Sequence, residues 1–445
     1  MRPGLPKQNV AGSNPVSRST PSLLQDGGLA YTSGEVARSS TALTRWPLST
    51  RPAATLVAIL TFVAACQPGP SGSEGTGSPG PQLSSSPSVS PSAAPSLAPG
   101  WQRVTIQPPL DTPLTRVVWT GTRFLAVEGG GTLLDSIDGR TWHQQPGLGD
   151  GLVDQIAVGP GGVLAVGSVN VEGVVAIWHS TDGLDWSAAP DASSLHGTEG
   201  SFLTMAAVVA TGDGWLAVGG ETVNCTPGAC GLVRAVVWTS PDGREWRRAP
   251  DTAAMQHASM NGVVRTASGY VAVGEAAADP SNPSSAIVPA VWTSPDGRAW
   301  TPSDKLPLVV AAPDADVALD GVAASGSRAV AVGHATTEAG ASADAFAWWN
   351  DGGTWRSVRV GQFVPSQEVR VAAVPGGWLA MFGFGSDAAC SSAIWSSADG
   401  STWSCIGSDP AFDSGAIWDA AVAPDIEVLV GSGPDGATAW TSAPH

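Results

Sequence analysis

From residue 101 to the C-terminus the chain alternates short apolar runs with polar turns, and the alternation itself repeats. One segment recurs as IWHSTDGLDW (Ile177–Trp186), VWTSPDGREW (Val237–Trp246), VWTSPDGRAW (Val291–Trp300) and IWSSADGSTW (Ile394–Trp403). Weaker copies, LLDSIDGRTW and AWWNDGGTW, end at Trp142 and Trp355. Upstream of each lies a second piece: RFLAVEG, GVLAVGS, GWLAVGG, GYVAVGE, RAVAVGH or GWLAMFG. EVLVGSG over Glu427–Gly433 makes a seventh. Val-, Ala- and Trp-rich runs bounded by Gly, Asp and Ser predict strands joined by tight turns. Their recurrence at intervals of roughly 40 to 60 residues predicts a repeat architecture.

The motif has the chemistry of a hairpin. Asp242 can accept hydrogen bonds from turn N–H groups, Ser240 does so more weakly, and Gly243 permits φ > 0. Asp138, Asp182, Asp296, Asp351 and Asp399 hold the same place in the other copies. Trp238 and Trp246 flank the turn with large apolar surfaces suited to the space between neighbouring units. Each unit reads as four strands, a to d: a Val/Ala-rich strand, the AVG strand and two Trp-bearing strands. One unit cannot bury both of its faces, so the units must stack. The prediction is an all-β, seven-bladed propeller of four-stranded blades over residues 101–445. Its last unit stops at Ala439–His445 without a fourth strand, whereas GWQRVTIQ, residues 100–107, matches the EWRRAP that follows the motif in the third unit. Trp101 then takes the place of Trp246, and the N-terminal strand closes the ring.

The chain ahead of the repeats follows another pattern. Its one strongly apolar run, Pro52–Ala65, is too short to span a bilayer as a helix and fits the core of a signal peptide, with Arg45 and Arg51 as the positive flank. Val63-Ala64-Ala65-Cys66 resembles the lipobox of bacterial lipoproteins, which implies cleavage before Cys66 and lipid attachment there. Residues 1–35 have no hydrophobic period and read as an over-extended start, leaving 36–65 as the signal peptide. Residues 66–100, the lipidated cysteine and a Pro-, Ser- and Gly-rich linker, cannot bury a core and read as a disordered tether. The expected location is the outer face of the bacterial cytoplasmic membrane, met through the lipid anchor only.

Charge narrows the partners. The net charge is −17, and the first 66 residues hold six basic and two acidic side chains, leaving 15 basic against 36 acidic, or −21, in the remainder. Nucleic acid is therefore excluded as a partner, because phosphate binding needs a basic footprint, and anionic lipid surfaces are disfavoured. Beyond Cys66 four cysteines remain, and an even number in an exported chain predicts disulfides. Proximity in sequence pairs Cys225 with Cys230 and Cys390 with Cys405. Zinc is the alternative, but the spacings lack paired C-x₂-C ligands; neither metal nor cofactor is expected.

The S-x-D-G-x-x-W motif resembles the Asp-box of bacterial sialidases and related propellers, including seven-bladed photosystem II assembly factors, over nearly all of 101–445. This version is one residue shorter than S-x-D-x-G-x-x-W. The sialidase resemblance implies three arginines on a substrate carboxylate, a Tyr–Glu nucleophile and an Asp acid/base. Tyr270, the only tyrosine after Tyr31, stands where other copies have Phe124, Val163, Trp215 or Trp378, which is a packing position. Arg116, Arg234 and Arg370 are the arginines expected nearest a central mouth. G-x-S-x-G, Walker and H-E-x-x-H motifs are absent, so no catalytic residue is assigned.

In an up-and-down blade the a–b and c–d turns share one face, and the b–c and d–a connections share the other. The second set is long, including residues 221–234, 275–289, 301–320 and 334–346. Long loops on a rigid scaffold are where binding usually resides. The expectation is a monomeric, non-catalytic, surface-tethered module that binds a protein, peptide or glycan through this loop face. A sialidase-like glycoside hydrolase and an assembly factor for an envelope complex are the alternatives. Candidate ligand-binding residues are Asp154, Asn261 and Asp320, at equivalent positions ahead of strand a, with His196 and His257; His334 maps to the same face. Turn capping and solvated histidines are the plainer reading of these residues.

Overall fold

The computed structural model describes residues 100–444 apart from 150, 170–173, 227–228, 280, 283–284, 304–305, 308–314, 337–341, 351–352, 365–368 and 387–389; elsewhere in 224–230 it describes backbone only. The expected leader, Cys66, the linker up to residue 99 and Asp351 lie outside these residues, as do the side chains of Cys225 and Cys230.

Seven four-stranded antiparallel sheets form a ring, the predicted propeller. Blade 1 comprises Leu114–Trp119, Phe124–Glu128, Leu133–Ser136 and His143–Gln145. Blade 2 comprises Gly151–Gly159, Gly162–Val169, Val174–Ser180 and Trp186–Ala188, and blade 3 Ser201–Ala210, Trp215–Thr226, Ala229–Ser240 and Arg247–Arg248. Blade 4 is built from Ala258–Thr266, Gly269–Ala277, Ile287–Ser294 and Thr301–Pro302. Blade 5 follows with Asp316–Ser325, Arg328–Thr336, Ala343–Asn350 and Arg356–Phe363. Blade 6 has Arg370–Val374, Gly377–Met381, Ile394–Ser397 and Ser404–Cys405. Blade 7 takes Ala416–Ala423, Ile426–Gly433 and Gly436–Ser442 from the C-terminus, and Gln102–Thr105 as its strand d.

The hairpin motif sets the joint between blades. In blade 2 the Asp182 carboxylate accepts from the N–H groups of Leu184 (2.9 Å) and Asp185 (3.0 Å), which hold it below the usual carboxylate range. Gly183 follows at φ 82°, and Trp186 Nε1 donates to its carbonyl at 3.0 Å. Asp138, Asp242, Asp296 and Asp399 repeat this arrangement. The first Trp of the motif works outward instead. Buried Trp238, Trp292 and Trp440 donate to carbonyls of the connection entering their blade, at Ser194 (2.8 Å), Ala254 (3.0 Å) and Ala411 (2.7 Å).

The AVG glycine answers a second constraint. Strand a is bulged at equivalent positions in blades 1 to 5 and in blade 7, and a bulge pushes one backbone towards its neighbour. A Cβ on Gly167, Gly219, Gly274, Gly333 or Gly431 would lie 1.9–2.0 Å from a carbonyl oxygen of that strand. Blades 1 and 6 carry Glu128 and Phe382 at this position, and the inner strand of blade 1 starts later, at Leu114.

Burial is organised between blades. The buried apolar residues fall into seven clusters, each shared by two neighbouring blades, so the chain of contacts runs round the ring and returns through blades 7 and 1. The expected loop 221–234 folds differently: strands b and c of blade 3 run on as a ladder out to Thr226 opposite Ala229. Val-rich alternation on both sides of the turn supports that extension. Cys390 and Cys405 form a disulfide, S–S 2.00 Å, that ties the b–c connection of blade 6 to its strand d.

Candidate functional site

The residue that follows the bulge on strand a faces the centre of the ring. These residues are Arg116, Gln155, Ala207, Gly262, Gly321 and Asp419, and Arg370 stands in the same place in blade 6. They line a central cavity of about 170 Å³. Its polar side chains gather on blades 6, 7, 1 and 2, while blades 3, 4 and 5 contribute Ala207, Gly262, Val263, Gly321 and Val322, none of them polar. Arg116 Nε donates to the Asp154 carbonyl, and Arg370 Nη2 donates to the same oxygen at 2.9 Å. Asp419 accepts from the N–H groups of Val117 (3.0 Å) and Ala420 (2.9 Å). Enclosure pushes its carboxyl up, against the opposing pull of Arg370 and Arg116.

Of the three arginines expected at the mouth, Arg116 and Arg370 reach it. Arg234 does not. It lies opposite Glu221 in blade 3, with Nε 2.8 Å from Glu221 Oε2 and Nη1 2.5 Å from Asp251 Oδ2. The Glu221 side chain is fully buried and also accepts from the Thr198 N–H (2.7 Å), Thr198 Oγ1 (2.7 Å), Ser201 Oγ (2.7 Å) and Arg248 Nη2 (3.2 Å). Burial alone would raise its pKa, yet these donors hold the carboxyl well below the usual range. The network fastens the connection between blades 2 and 3 to the loop end of blade 3.

The five candidate ligand residues do not converge. Asp154, Asn261 and Asp320 do occupy equivalent places, but these are the bulges inside strand a rather than the chain ahead of it. A bulge turns one side chain out of the alternation, and each of the three uses it differently. Asp154 offers its backbone carbonyl to the channel arginines, and Asn261 Nδ2 bridges to Leu319 O in blade 5 at 3.0 Å. Asp320 Oδ2 accepts from His334 Nδ1 at 2.7 Å. His196 pairs with Asp191 on an exposed surface, where an ion pair is worth little. His257 sits at φ 51° with Nδ1 3.2 Å from Leu232 O. Among the described residues no three His, Cys, Asp or Glu side chains gather as a metal-binding set.

Sequence reasoning missed two features here. Asp419 and Gln155 belong to the channel column, and aligning the repeats on the AVG glycine would have exposed that column. The second is a titrating cluster between blades 4 and 5. Burial, and then the Asp320 charge, push Glu275 up from 4.5 to about 7, and Asp320 raises His334 against the effect of its burial. Asp316 adds to the push on Glu275, while His334 opposes it.

Both groups have folded-state pKa values above their unfolded ones, so both contribute less stability as pH rises. Glu275 loses its share between pH 4.5 and 7, and His334 as pH passes from its unfolded value upward. Thermal melts from pH 5 to pH 8 should show a falling Tm. Glu275→Gln should flatten the fall and add on the order of 1–2 kcal/mol at pH 8, after discounting for its partly accessible carboxyl. A variant that follows the wild-type profile contradicts this assignment.

Apolar surface frames the loop side of the channel. Leu152 is 54% exposed and Phe384 43% exposed. Leu152, Thr115 and Trp418 line a hollow of about 300 Å³ beside Arg116. Phe384 meets Trp418 edge-on at 6.1 Å.

No family model and no curated protein matches the chain. Among solved structures it is similar to Ika8, a computationally designed protein, at 10% identity and TM-score 0.40 over 76% of this chain and 99% of that one. It is also similar to a GH93 alpha-L-arabinofuranosidase of Fusarium graminearum, solved in complex with arabinobiose, at 11% identity and TM-score 0.41 over 77% of this chain and 97% of the enzyme.

Proposed function

We propose that this propeller is a non-catalytic binding module, held at the outer face of the cytoplasmic membrane by a lipid on Cys66, that takes a protein partner on its loop face. The observation that carries the reading is the state of the channel. Arg116 and Arg370 converge on the Asp154 carbonyl and lie beside Asp419, so the cations that would meet a substrate carboxylate are already engaged. Beside them, Leu152, Phe384 and the Trp418 hollow offer apolar anchors, the kind of surface that marks an interaction site. The Glu221 network holds the neighbouring connection in place, which lowers the ordering cost of binding. Net charge of the exported portion favours a basic or neutral partner over an acidic one.

A second reading, a sialidase-like hydrolase, draws on the same two arginines and Asp419. An assembly role in an envelope complex is a special case of protein binding. A panel of fluorogenic sialosides and arabinofuranosides separates hydrolysis from binding. We expect no turnover from the full chain. Turnover that Arg116→Ala abolishes would overturn the non-catalytic reading.

A further inference from the structure

Building on the loop-face reading, we propose that the hollow beside Arg116 receives a tyrosine side chain of the protein partner and that Trp418 Nε1 donates to its hydroxyl. Trp418 is the residue that the bulge in strand a of blade 7 turns out of the alternation, the counterpart of Thr115 in blade 1 and Asp154 in blade 2. It is 4% exposed, and its Nε1 has no hydrogen-bond partner.

The tryptophans of the repeat behave otherwise. Nε1 of Trp142, Trp186, Trp246, Trp300 and Trp403 donates to a turn glycine carbonyl. Trp238, Trp292, Trp348 and Trp440 donate to the connection entering their blade. Trp215 Nε1 also lacks an acceptor, but it is packed into a closed joint, where a Cβ on Gly243 would come 3.3 Å from it. Trp418 instead lines a hollow of about 300 Å³, at the lower end of the range of about 300–1,000 Å³ usual for ligand sites. The benzo end of its indole abuts blade 6, where a Cβ on Gly383 would lie 2.4 Å from Cζ3 and 2.6 Å from Cη2. The pyrrole end, which carries Nε1, is thereby turned the other way, towards the residues of blades 1 and 2 that complete the hollow. Buried donors are almost always paired, so an orphan N–H at the wall of a hollow calls for an acceptor from outside the chain.

The lining selects among partner side chains. Lysine, arginine and tryptophan bring no acceptor, and the first two would also set a cation beside Arg116. A carboxylate would meet the Asp154 carboxylate, which lines the same hollow, and the acidic balance of the chain. Serine and threonine are too small to fill the space, and an amide leaves Leu152 and Val153 uncovered. A tyrosine hydroxyl accepts from Trp418 Nε1 while donating to Asp154, and its ring covers Leu152, Val153 and the Thr115 methyl.

Titrating the full chain with p-cresol, the tyrosine side chain as a free molecule, tests this, with toluene, p-toluate and 4-methylbenzylammonium as comparisons. The expected result is a saturable shift of the Trp418 indole ¹⁵N–¹H resonance, with p-cresol bound at least about tenfold more tightly than any of the other three. Trp418→Phe removes the donor and keeps a ring, so calorimetry should then find p-cresol bound no more tightly than toluene. Leu152→Ala, at a 54% exposed position, should weaken p-cresol and toluene alike. Comparing the ligands on the unaltered chain keeps the test intact if Trp418→Phe folds poorly. Equal binding of p-cresol and toluene, tighter binding of p-toluate or the ammonium, or no shift of the indole resonance overturns the proposal. Crosslinking from Leu152 and Phe384 tests the loop-face reading separately, because a protein adduct there does not depend on which side chain fills the hollow.

Discussion

Deleting residues 101–107 is expected to remove most of the propeller's stability, leaving a chain that unfolds at far lower temperature or fails to stay soluble. Gln102–Thr105 pairs with the last strand in the register that blade 3 uses internally: Arg103 stands opposite Trp440 as Arg248 stands opposite Trp238. Trp101 is buried and packs on Phe412 at 5.8 Å between centroids, and Phe412 packs on Trp440 at 6.0 Å. Ile106 is buried in the cluster shared by blades 7 and 1. Arg103 donates to the carbonyls of Ala411 (3.2 Å) and Asp413, fastening the strand to the connection before blade 7. Truncating a buried Trp typically costs about 3–5 kcal/mol, and losing Ile106 and the ladder as well brings the total near the whole stability of a typical domain, about 5–15 kcal/mol. Trp101→Ala alone should therefore lower stability by about 3–5 kcal/mol, read by calorimetry or denaturant titration. A deletion that melts within a few degrees of the parent would mean the ring closes without this strand.

Replacing Glu221 should cost nearly as much, and glutamine should rescue little. Oε1 accepts three donors from Thr198 and Ser201, and Oε2 accepts two guanidinium donors. An amide NH₂ at the Oε2 position meets two guanidinium donors, and at the Oε1 position it opposes the Thr198 N–H and fits only if the Thr198 and Ser201 hydroxyls turn to accept. Glu221→Gln and Glu221→Leu should each lose about 3–5 kcal/mol, because Arg234 and Arg248 then keep only the half-exposed Asp251. The pH dependence distinguishes this from simple loss of packing. A depressed folded-state pKa contributes stability that is fully present above the unfolded value of 4.5, erodes as pH falls below it, and is gone once pH has fallen through the depressed folded-state value. Wild type should weaken steeply on acidification below this range while both variants change less. A Glu221→Gln protein as stable as wild type would show that the network is incidental.

The architecture was legible because each constraint recurs. The turn Asp, the turn glycine and the two tryptophans appear at fixed offsets, and Trp101 could be matched to Trp246 two residues ahead of equivalent arginines. Residues 221–234 read as a loop in sequence because the Pro- and Gly-containing tip interrupts the ladder that flanks it. The candidate site was far less legible. Channel residues change from blade to blade, so Asp419 and Gln155 have no motif, and only the glycine that accommodates the bulge marks their column. Asp154, Asn261 and Asp320 are equivalent in the repeat, yet that equivalence puts them in different blades, where a bulge inside strand a orients each to its own neighbour.

The central question for this propeller is which face recognises a partner. Photo-crosslinking residues placed singly at Leu152 and Phe384 on the loop side, and at Ile137, 73% exposed on the turn side, compare the two faces in the full chain on living cells of the native organism. One discrete protein adduct shared by Leu152 and Phe384, absent at Ile137 and diminished by Trp418→Ala, is the expected result. Adducts at Ile137 with none at the two loop-side positions, or no discrete adduct at either loop-side position, would contradict it.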